Sequence, residues 1–272
     1  MIKRAIEERI HNALAKKKVV TIMGPRQVGK STLAGAMIPE DANDIEINGD
    51  NTDVQTMFVN VDDTKMKVLI GNKNFLFVDE AQKIGNVGNM LKIVAEKFDD
   101  VKVIVTGSSA FKLAEAVNES LTGRKREFRL YPLSFKEMAD ETSVLEESRM
   151  IDHRLIYGYY PEVVTSPGDE KEVIKELIDS YLYKDVLEEN EIAKQDKLVR
   201  LVQALAFQIG STVSANELAG LVGVDAKTVE RYIDILEKCY IIFTLPSYAK
   251  NQRNELKFAR KIYFWDMGIR NG

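Results

Sequence analysis

Residues 18–32, KVVTIMGPRQVGKST, decide how this chain is read. Lys18 to Met23 is a short, continuous run rich in β-branched residues, as expected of a central strand covered on both faces. It runs directly into Gly24-Pro25-Arg26-Gln27-Val28-Gly29-Lys30-Ser31, which fits the pattern G-x-x-x-x-G-K-S/T at every position. Small, helix-tolerant residues follow, so the order is strand, loop, helix. Glycines let backbone N–H groups turn inward around phosphate oxygens without a Cβ clash, and the following helix points its positive end at the same anion. Gly24 through Thr32 are therefore candidates for holding a nucleotide. Lys30 is placed to reach the β- and γ-phosphates, and the Ser31 hydroxyl to bind Mg²⁺.

A second acidic motif lies about fifty residues on. Phe75-Leu76-Phe77-Val78 is followed by Asp79-Glu80, so Asp79 emerges at a strand's C-terminal end where it can hold the metal through water. Glu80 can then orient and polarise an attacking water. The pair favours hydrolysis over the lid of arginines that small-molecule kinases use. The run VKVIVTGSSA (101–110) delivers Thr106, Ser108 and Ser109 to the same sheet edge as candidate γ-phosphate sensors. Leu121-Thr122-Gly123-Arg124-Lys125-Arg126 sets a basic cluster before the last strand. Arg124 or Arg126 would be a transition-state cation supplied in cis or from a neighbouring subunit, and Arg26 is a further candidate.

Around these motifs the strand signal recurs at DIEING (44–49), NFLFVDEAQ (74–82), VKVIVTGSSA and EFRLYPLSF (127–135), with helical patterns between them. Five strands joined by crossovers predict a parallel sheet with helices on both faces. A first helix is expected over Ile2–Leu14, from apolar residues at Ile2, Ala5, Ile6, Ile10, Ala13 and Leu14. After Lys136 strand signals cease. Turns follow at Pro161 and Ser166-Pro167-Gly168, and the helical stretch 169–200 carries ten acidic and six basic residues. The last seventy residues read as three helices (LVRLVQALAFQIG, SANELAGLVG, DAKTVERYIDILEKC) and a ribbon (YIIFTLP, KIYFWD), the pattern of a winged helix-turn-helix. The expected domains are 1–136, an ATPase core; 137–195, a helical connector; and 196–272, a winged helix.

Composition sets limits on partners. The 272 residues carry 38 basic and 42 acidic side chains, a formal −4, so the chain as a whole has no polycationic attraction for nucleic acid. The charge is uneven, however. Residues 241–272 are a local +4, from Lys250, Arg253, Lys257, Arg260, Lys261 and Arg270 against Glu255 and Asp266, whereas the preceding 240 sum to −8. A wing of that charge would touch DNA backbone, or dock an acidic surface of another domain or subunit. In the second helix of the motif, Lys227, Arg231 and Lys238 share their surface with Glu230, Asp234 and Glu237, which weakens groove reading. Phe258, Tyr263, Phe264 and Trp265 are read as core aromatics. One cysteine, Cys239, and two distant histidines, His11 and His153, cannot make an intrachain disulfide or a zinc site of the usual ligands. No apolar run approaches the roughly 18 residues of a membrane span, and the charged N-terminus has no signal-peptide core, so the expected location is the cytoplasm.

At GPRQVGKST, FVDEAQ, TGSSA, LTGR and YPLSF, in that order, the chain resembles a widespread prokaryotic family of AAA-like P-loop ATPases. The resemblance continues through YGYYPEVV, YLYKDV and KIYFWDMGIRN and so covers essentially the whole length. It implies the additional-strand division of P-loop ATPases, with ATP and Mg²⁺ as ligands and Lys30, Ser31, Asp79 and Glu80 in the roles above. Relatives usually join the ATPase domain to a winged-helix region and then a restriction-endonuclease-like domain. The 272 residues are expected to be filled by an ATPase core, a helical connector and a winged helix, as in either a shortened chain or a natural minimal member, so no nuclease chemistry is assigned. The family commonly pairs glycines before the Tyr-Pro-Glu, but here Gly158 is followed by Tyr159, which questions a tight turn at that point. The expectation is Mg²⁺-dependent ATP hydrolysis coupled to movement of the winged helix, with DNA, a protein or a second subunit as partner. The alternative is a nucleotide-gated switch with negligible hydrolysis. The absence of a guanine-selecting N-K-x-D motif favours ATP.

Overall fold

Val19–Met23 is buried at all five positions, which requires apolar cover on both faces of the strand. The protein is described by a computed structural model over residues 1–108, 121–181, 186, 194–246 and 260–272. Two compact units divide it, Met1–Tyr131 with Phe135–Glu141, and Pro132–Ser134 with Thr142–Gly272.

In the first unit α1 (Glu7–Ala15) leads to β1 (Val19–Met23) and α2 (Lys30–Ala36). Next come β2 (Asp44–Asn48), α3 (Thr52–Met57), α4 (Asp63–Ile70), β3 (Phe75–Asp79), α5 (Val87–Lys97), β4 (Lys102–Gly107), β5 (Lys125–Arg129) and α6 (Phe135–Glu141). The five strands form one sheet in the order β2-β3-β4-β1-β5, every pair parallel. All their C-terminal ends therefore lie along one edge. Strand β4 stands between β1, which leads into the glycine loop, and β3, which ends at Asp79; this is the inserted strand that the resemblance implies. β3 is buried throughout and β4 at all but Lys102, as strands inside a helix-covered sheet should be.

Two elements differ from expectation. Helix α1 begins at Glu7 rather than near Ile2, because the backbone N–H groups of Arg4 and Ala5 donate to the side chains of Glu7 (2.6 Å) and Glu137 (2.8 Å). The last strand pairs only over Lys125–Arg129. Leu130 N–H still donates to Met23 O at 2.8 Å, but Tyr131 turns its carbonyl to Arg4 and Pro132 has no N–H to continue the ladder.

In the second unit, α7 (Val144–Arg149), α8 (Ile151–Tyr157), α9 (Pro161–Thr165) and α10 (Glu170–Tyr181) precede α11 (Gln195–Phe207). Then follow β6 (Thr212–Val213), α12 (Ala215–Val222), α13 (Ala226–Lys238), β7 (Ile242–Leu245), β8 (Arg260–Phe264) and α14 (Met267–Asn271). The last three strands make an antiparallel sheet in the order β6-β8-β7. Helix α13 buries Val229, Tyr232, Ile233 and Leu236 at helical spacing, and its cap Asp225 accepts from Thr228 N at 2.8 Å. These pack with Leu198, Leu201 and Leu205 of α11 and with Ile262 and Phe264 of β8. Cys239 is buried in the same core. Phe264 is core as expected, whereas Tyr263 and Trp265 alternate onto the opposite face and are half-buried beside Phe243. Phe258 lies outside the described residues.

Beside the expected boundaries at 136/137 and 195/196, α6 groups with the first compact unit, and the expected connector and terminal region group together in the second. Their junction is Asp266. Its carboxylate accepts from Tyr159 N at 2.7 Å, Gly268 N at 2.8 Å and Ile269 N at 3.2 Å. Gly158 supplies the positive φ (78°) that ends α8 here, so a single glycine makes the turn for which the family commonly has two. Asp266→Ala leaves three backbone donors without their acceptor. We expect it to cost about 3 kcal/mol in urea unfolding. Burial pushes this carboxyl above its ordinary value, against the lowering pull of the three N–H groups. The fold therefore holds the Asp266 proton more tightly than the unfolded chain does. The group's stability contribution is largest at low pH and is lost as pH rises from its ordinary value near 3.8 to its folded value. Asp266→Asn should flatten that segment of the stability profile.

Candidate functional site

The site is assembled where β1, β3 and β4 end. Between Met23 and α2 the chain makes the glycine loop, with Gly29 in the left-handed region at φ 88°. Gly24 packs directly on the exit of β5: a Cβ added there would lie 1.9 Å from the Leu130 carbonyl oxygen. Lys30, 5 % exposed, folds its ammonium back over the loop and donates to Pro25 O at 2.7 Å. A cation held over a ring of backbone amides at a helix N-terminus is an arrangement that attracts phosphate.

The acidic half meets this loop through one oxygen. Asp79 is 8 % exposed, and its Oδ1 accepts from Ser31 Oγ at 2.8 Å and also from Thr106 Oγ1. Ser31 and Asp79 are 48 residues apart, and the parallel sheet brings them together. Glu80 follows in a left-handed conformation (φ 46°), a conformation costing a non-glycine residue on the order of 1–3 kcal/mol that is found most often at functional sites. Its Oε2 accepts from Gln82 Nε2 and, at 3.3 Å, from Ser108 Oγ, while Gln82 Nε2 also donates to Ser108 at 3.0 Å. Gln82 Oε1 is buried and has no hydrogen-bond partner among the described residues.

For a divalent cation the donors are a hydroxyl and one carboxylate, both hard oxygens within hydrogen-bond reach of each other. Among the described residues no group of three or more His, Cys, Asp or Glu is placed to hold a metal. This sparse oxygen set fits Mg²⁺, which keeps several waters and takes its remaining ligands from phosphates. It does not fit zinc.

Several predicted residues stand elsewhere. Thr106 is fully buried, and its hydroxyl is turned to the Asp79 carboxylate. Ser108 is beside Glu80, and Ser109 lies outside the described residues. Arg124 is at the wrong end of the sheet for a role in cis. Its carbonyl accepts from Val19 N at 3.0 Å and its guanidinium pairs with Glu96 at 2.6 Å, about 13 Å of strand away from the glycine loop. Arg126, level with Val20, is exposed and also far from the loop. Arg26 is half-buried in the loop itself. On α13, Lys238 pairs with Asp234 at 2.7 Å, Glu230 pairs with Arg260, and Arg231 lies over the Tyr232 ring at 5.4 Å; Lys227 is exposed. Lys250, Arg253 and Lys257 lie outside the described residues.

Two residues of this site were given no role in the sequence reading. Gln82 closes the FVDEAQ motif and sits two positions past Glu80 on a single 3₁₀ turn, Ala81–Lys83. Arg4 is 7 % exposed and reaches the loop from the N-terminal segment. Its Nη1 donates to Val28 O at 2.8 Å, Nη2 to Tyr131 O at 2.6 Å and Nε to Glu137 at 3.0 Å.

Residues 16–139 match the family described as AAA domain. The first unit is an AAA-like P-loop domain. Residues 148–272 match a family described as a domain of unknown function, DUF8612. The fold of the chain is similar to that of the Walker-type ATPase PABY2304 of Pyrococcus abyssi, at a TM-score of 0.62 and 16% identity, covering 99% of this chain and 95% of that one. Among curated relatives, an uncharacterized protein of Haemophilus influenzae is 26% identical over 208 residues, covering 73% of this chain and 52% of its own length. An uncharacterized protein of Methanocaldococcus jannaschii is 23% identical over 268 residues, covering 90% and 60%. The chain thus spans little more than half the length of these relatives. Among the described residues no helix is long and apolar enough to cross a membrane.

Proposed function

We propose that the AAA-like domain binds ATP with Mg²⁺ and hydrolyses it, and that the second unit contains a winged helix whose position follows the nucleotide state. The observation that carries this reading is the Ser31–Asp79 contact at 2.8 Å, beside a Glu80 carboxylate already oriented by two neighbours. Ser31 and Asp79 would hold Mg²⁺, whose charge would offset that of the phosphates when bound. The loop amides and Lys30 bind and orient the phosphates, and Glu80 takes a hydrogen bond from the attacking water. Strands β1, β3 and β4 hold these groups on rigid elements.

Phosphate release from ATP should require Mg²⁺ and stop with EDTA. Tight ATP binding with no release above the uncatalysed background would leave the nucleotide-gated switch as the reading instead. If Arg124 acts at all, it acts on the site of a second subunit, and activity per subunit then rises with protein concentration.

In the second unit, α11–α13 with the β6-β8-β7 sheet have the order of elements of a winged helix. DNA contact is proposed through the wing rather than through α13, where most of the cations are engaged within the protein. Reversing Lys250, Arg253 and Lys257 to Glu together should weaken duplex binding at least tenfold at about 0.1 M salt. Reversing Lys227 and Arg231 should change it less than threefold. Fluorescence polarisation on a labelled duplex reads both, and equal losses would point to α13 as the DNA-facing helix.

A further inference from the structure

The Arg4 guanidinium reaches three separate partners in three directions, and two of them are backbone carbonyls flanking the nucleotide site. Val28 O belongs to the glycine loop, and Tyr131 O follows Leu130, the residue against which Gly24 is packed. Glu137 fixes the third corner through Nε, and its Oε1 also accepts from Ala5 N at 2.8 Å, so the segment carrying Arg4 is itself anchored. Both side chains are 8 % exposed.

The chemistry follows from the peptide plane. Val28 C=O and Gly29 N–H belong to one trans peptide and point in opposite directions. Holding the carbonyl outward on Arg4 therefore aims the Gly29 N–H the other way, and Gly29 precedes Lys30 at the point where α2 begins. Left alone, that peptide can rotate, since Gly29 adopts either sign of φ freely. We propose that Arg4 is a positioning residue of the nucleotide site, presetting the Val28–Gly29 peptide so that its N–H is ready for phosphate before nucleotide arrives. The ligand class is the polyphosphate of a nucleoside triphosphate. The inference rests on the reading of residues 24–31 as a phosphate loop.

Two variants separate positioning from mere support. Arg4→Lys keeps a charge opposite Glu137, but a single ammonium cannot span Glu137, Val28 and Tyr131 together. Arg4→Met with Glu137→Met removes both buried charges and so leaves neither one unpaired. Hydrogen exchange of residues 24–31, measured without nucleotide, should be at least tenfold faster in both variants, with β3 unchanged. With Mg²⁺ and a fluorescent ATP analogue, Kd should rise about tenfold, and KM for ATP should rise with it while kcat at saturation changes less than threefold. Wild-type exchange in the loop of either folded variant overturns the proposal, whatever its melting temperature. Should the double variant not fold, Arg4→Lys decides the question alone. If the wild-type protein binds no ATP, the proposed function fails, and the nucleotide-free exchange still decides the role of Arg4.

Discussion

Glu80→Gln should bind MgATP with nearly wild-type affinity and release phosphate about a hundredfold to ten-thousandfold more slowly, the range lost when a positioned general base is removed. The reason is in the geometry. Glu80 is not among the groups that cradle phosphate, and its carboxylate is held by Gln82 and Ser108 at the edge where β3 ends. The amide is isosteric, so the left-handed backbone at residue 80 is undisturbed and binding survives. Lys30→Ala gives the opposite split. It removes the cation held over Pro25 O, the group proposed to meet the phosphates. Affinity should fall beyond measurement by a fluorescent ATP analogue, and turnover should fall with it. Equilibrium binding and single-turnover phosphate release on the same preparations distinguish the two. Equal turnover in Glu80→Gln and wild type would remove Glu80 from the mechanism.

What was legible in the sequence was what is local along the chain. Lys18–Met23 reads as a buried strand, and Gly24–Ser31 as a phosphate loop, because each depends on neighbours within a few residues. Asp79 was placed at a strand end by four preceding apolar residues, and the structure adds only which atoms it meets. Helix α13 was likewise found from its period. The parts that were missed depend on contacts across long separations. Arg4 and Glu137 are 133 residues apart, and neither has a periodic pattern that marks it as buried. The Arg124 cluster was close in sequence to a site-forming strand but at its opposite end, since a strand carries its two ends well over 10 Å apart. Strand β6 has two residues, too short for any alternation to register. Connector and terminal region fold as one unit through Asp266, whose partners lie both next to it and 107 residues away at Tyr159.

Gly24→Ala and Gly35→Ala make the same chemical change eleven residues apart and should have opposite signs. At Gly24 the added methyl would meet the Leu130 carbonyl oxygen at 1.9 Å and its carbon at 3.0 Å. Both are backbone, and Leu130 is tied to Met23 O by its own N–H at 2.8 Å, so no side chain can swing aside. The loop or the end of β5 must move instead. Overpacking of this kind costs on the order of 3 kcal/mol. The displaced loop also loses the alignment of its amides, so ATP affinity should fall at least a hundredfold even where the protein still folds. At Gly35, an exposed position in α2, nothing lies within 4 Å of the new methyl. Alanine there lowers the entropy of the unfolded chain and favours helix, a gain of about 0.5–1 kcal/mol. Urea unfolding reads both signs, and ATP binding by Gly35→Ala should match wild type. Loss of stability in Gly35→Ala would mean that α2 has a neighbour on its open face. Retained ATP affinity in Gly24→Ala would mean that the loop can find its cradle without the close approach to β5.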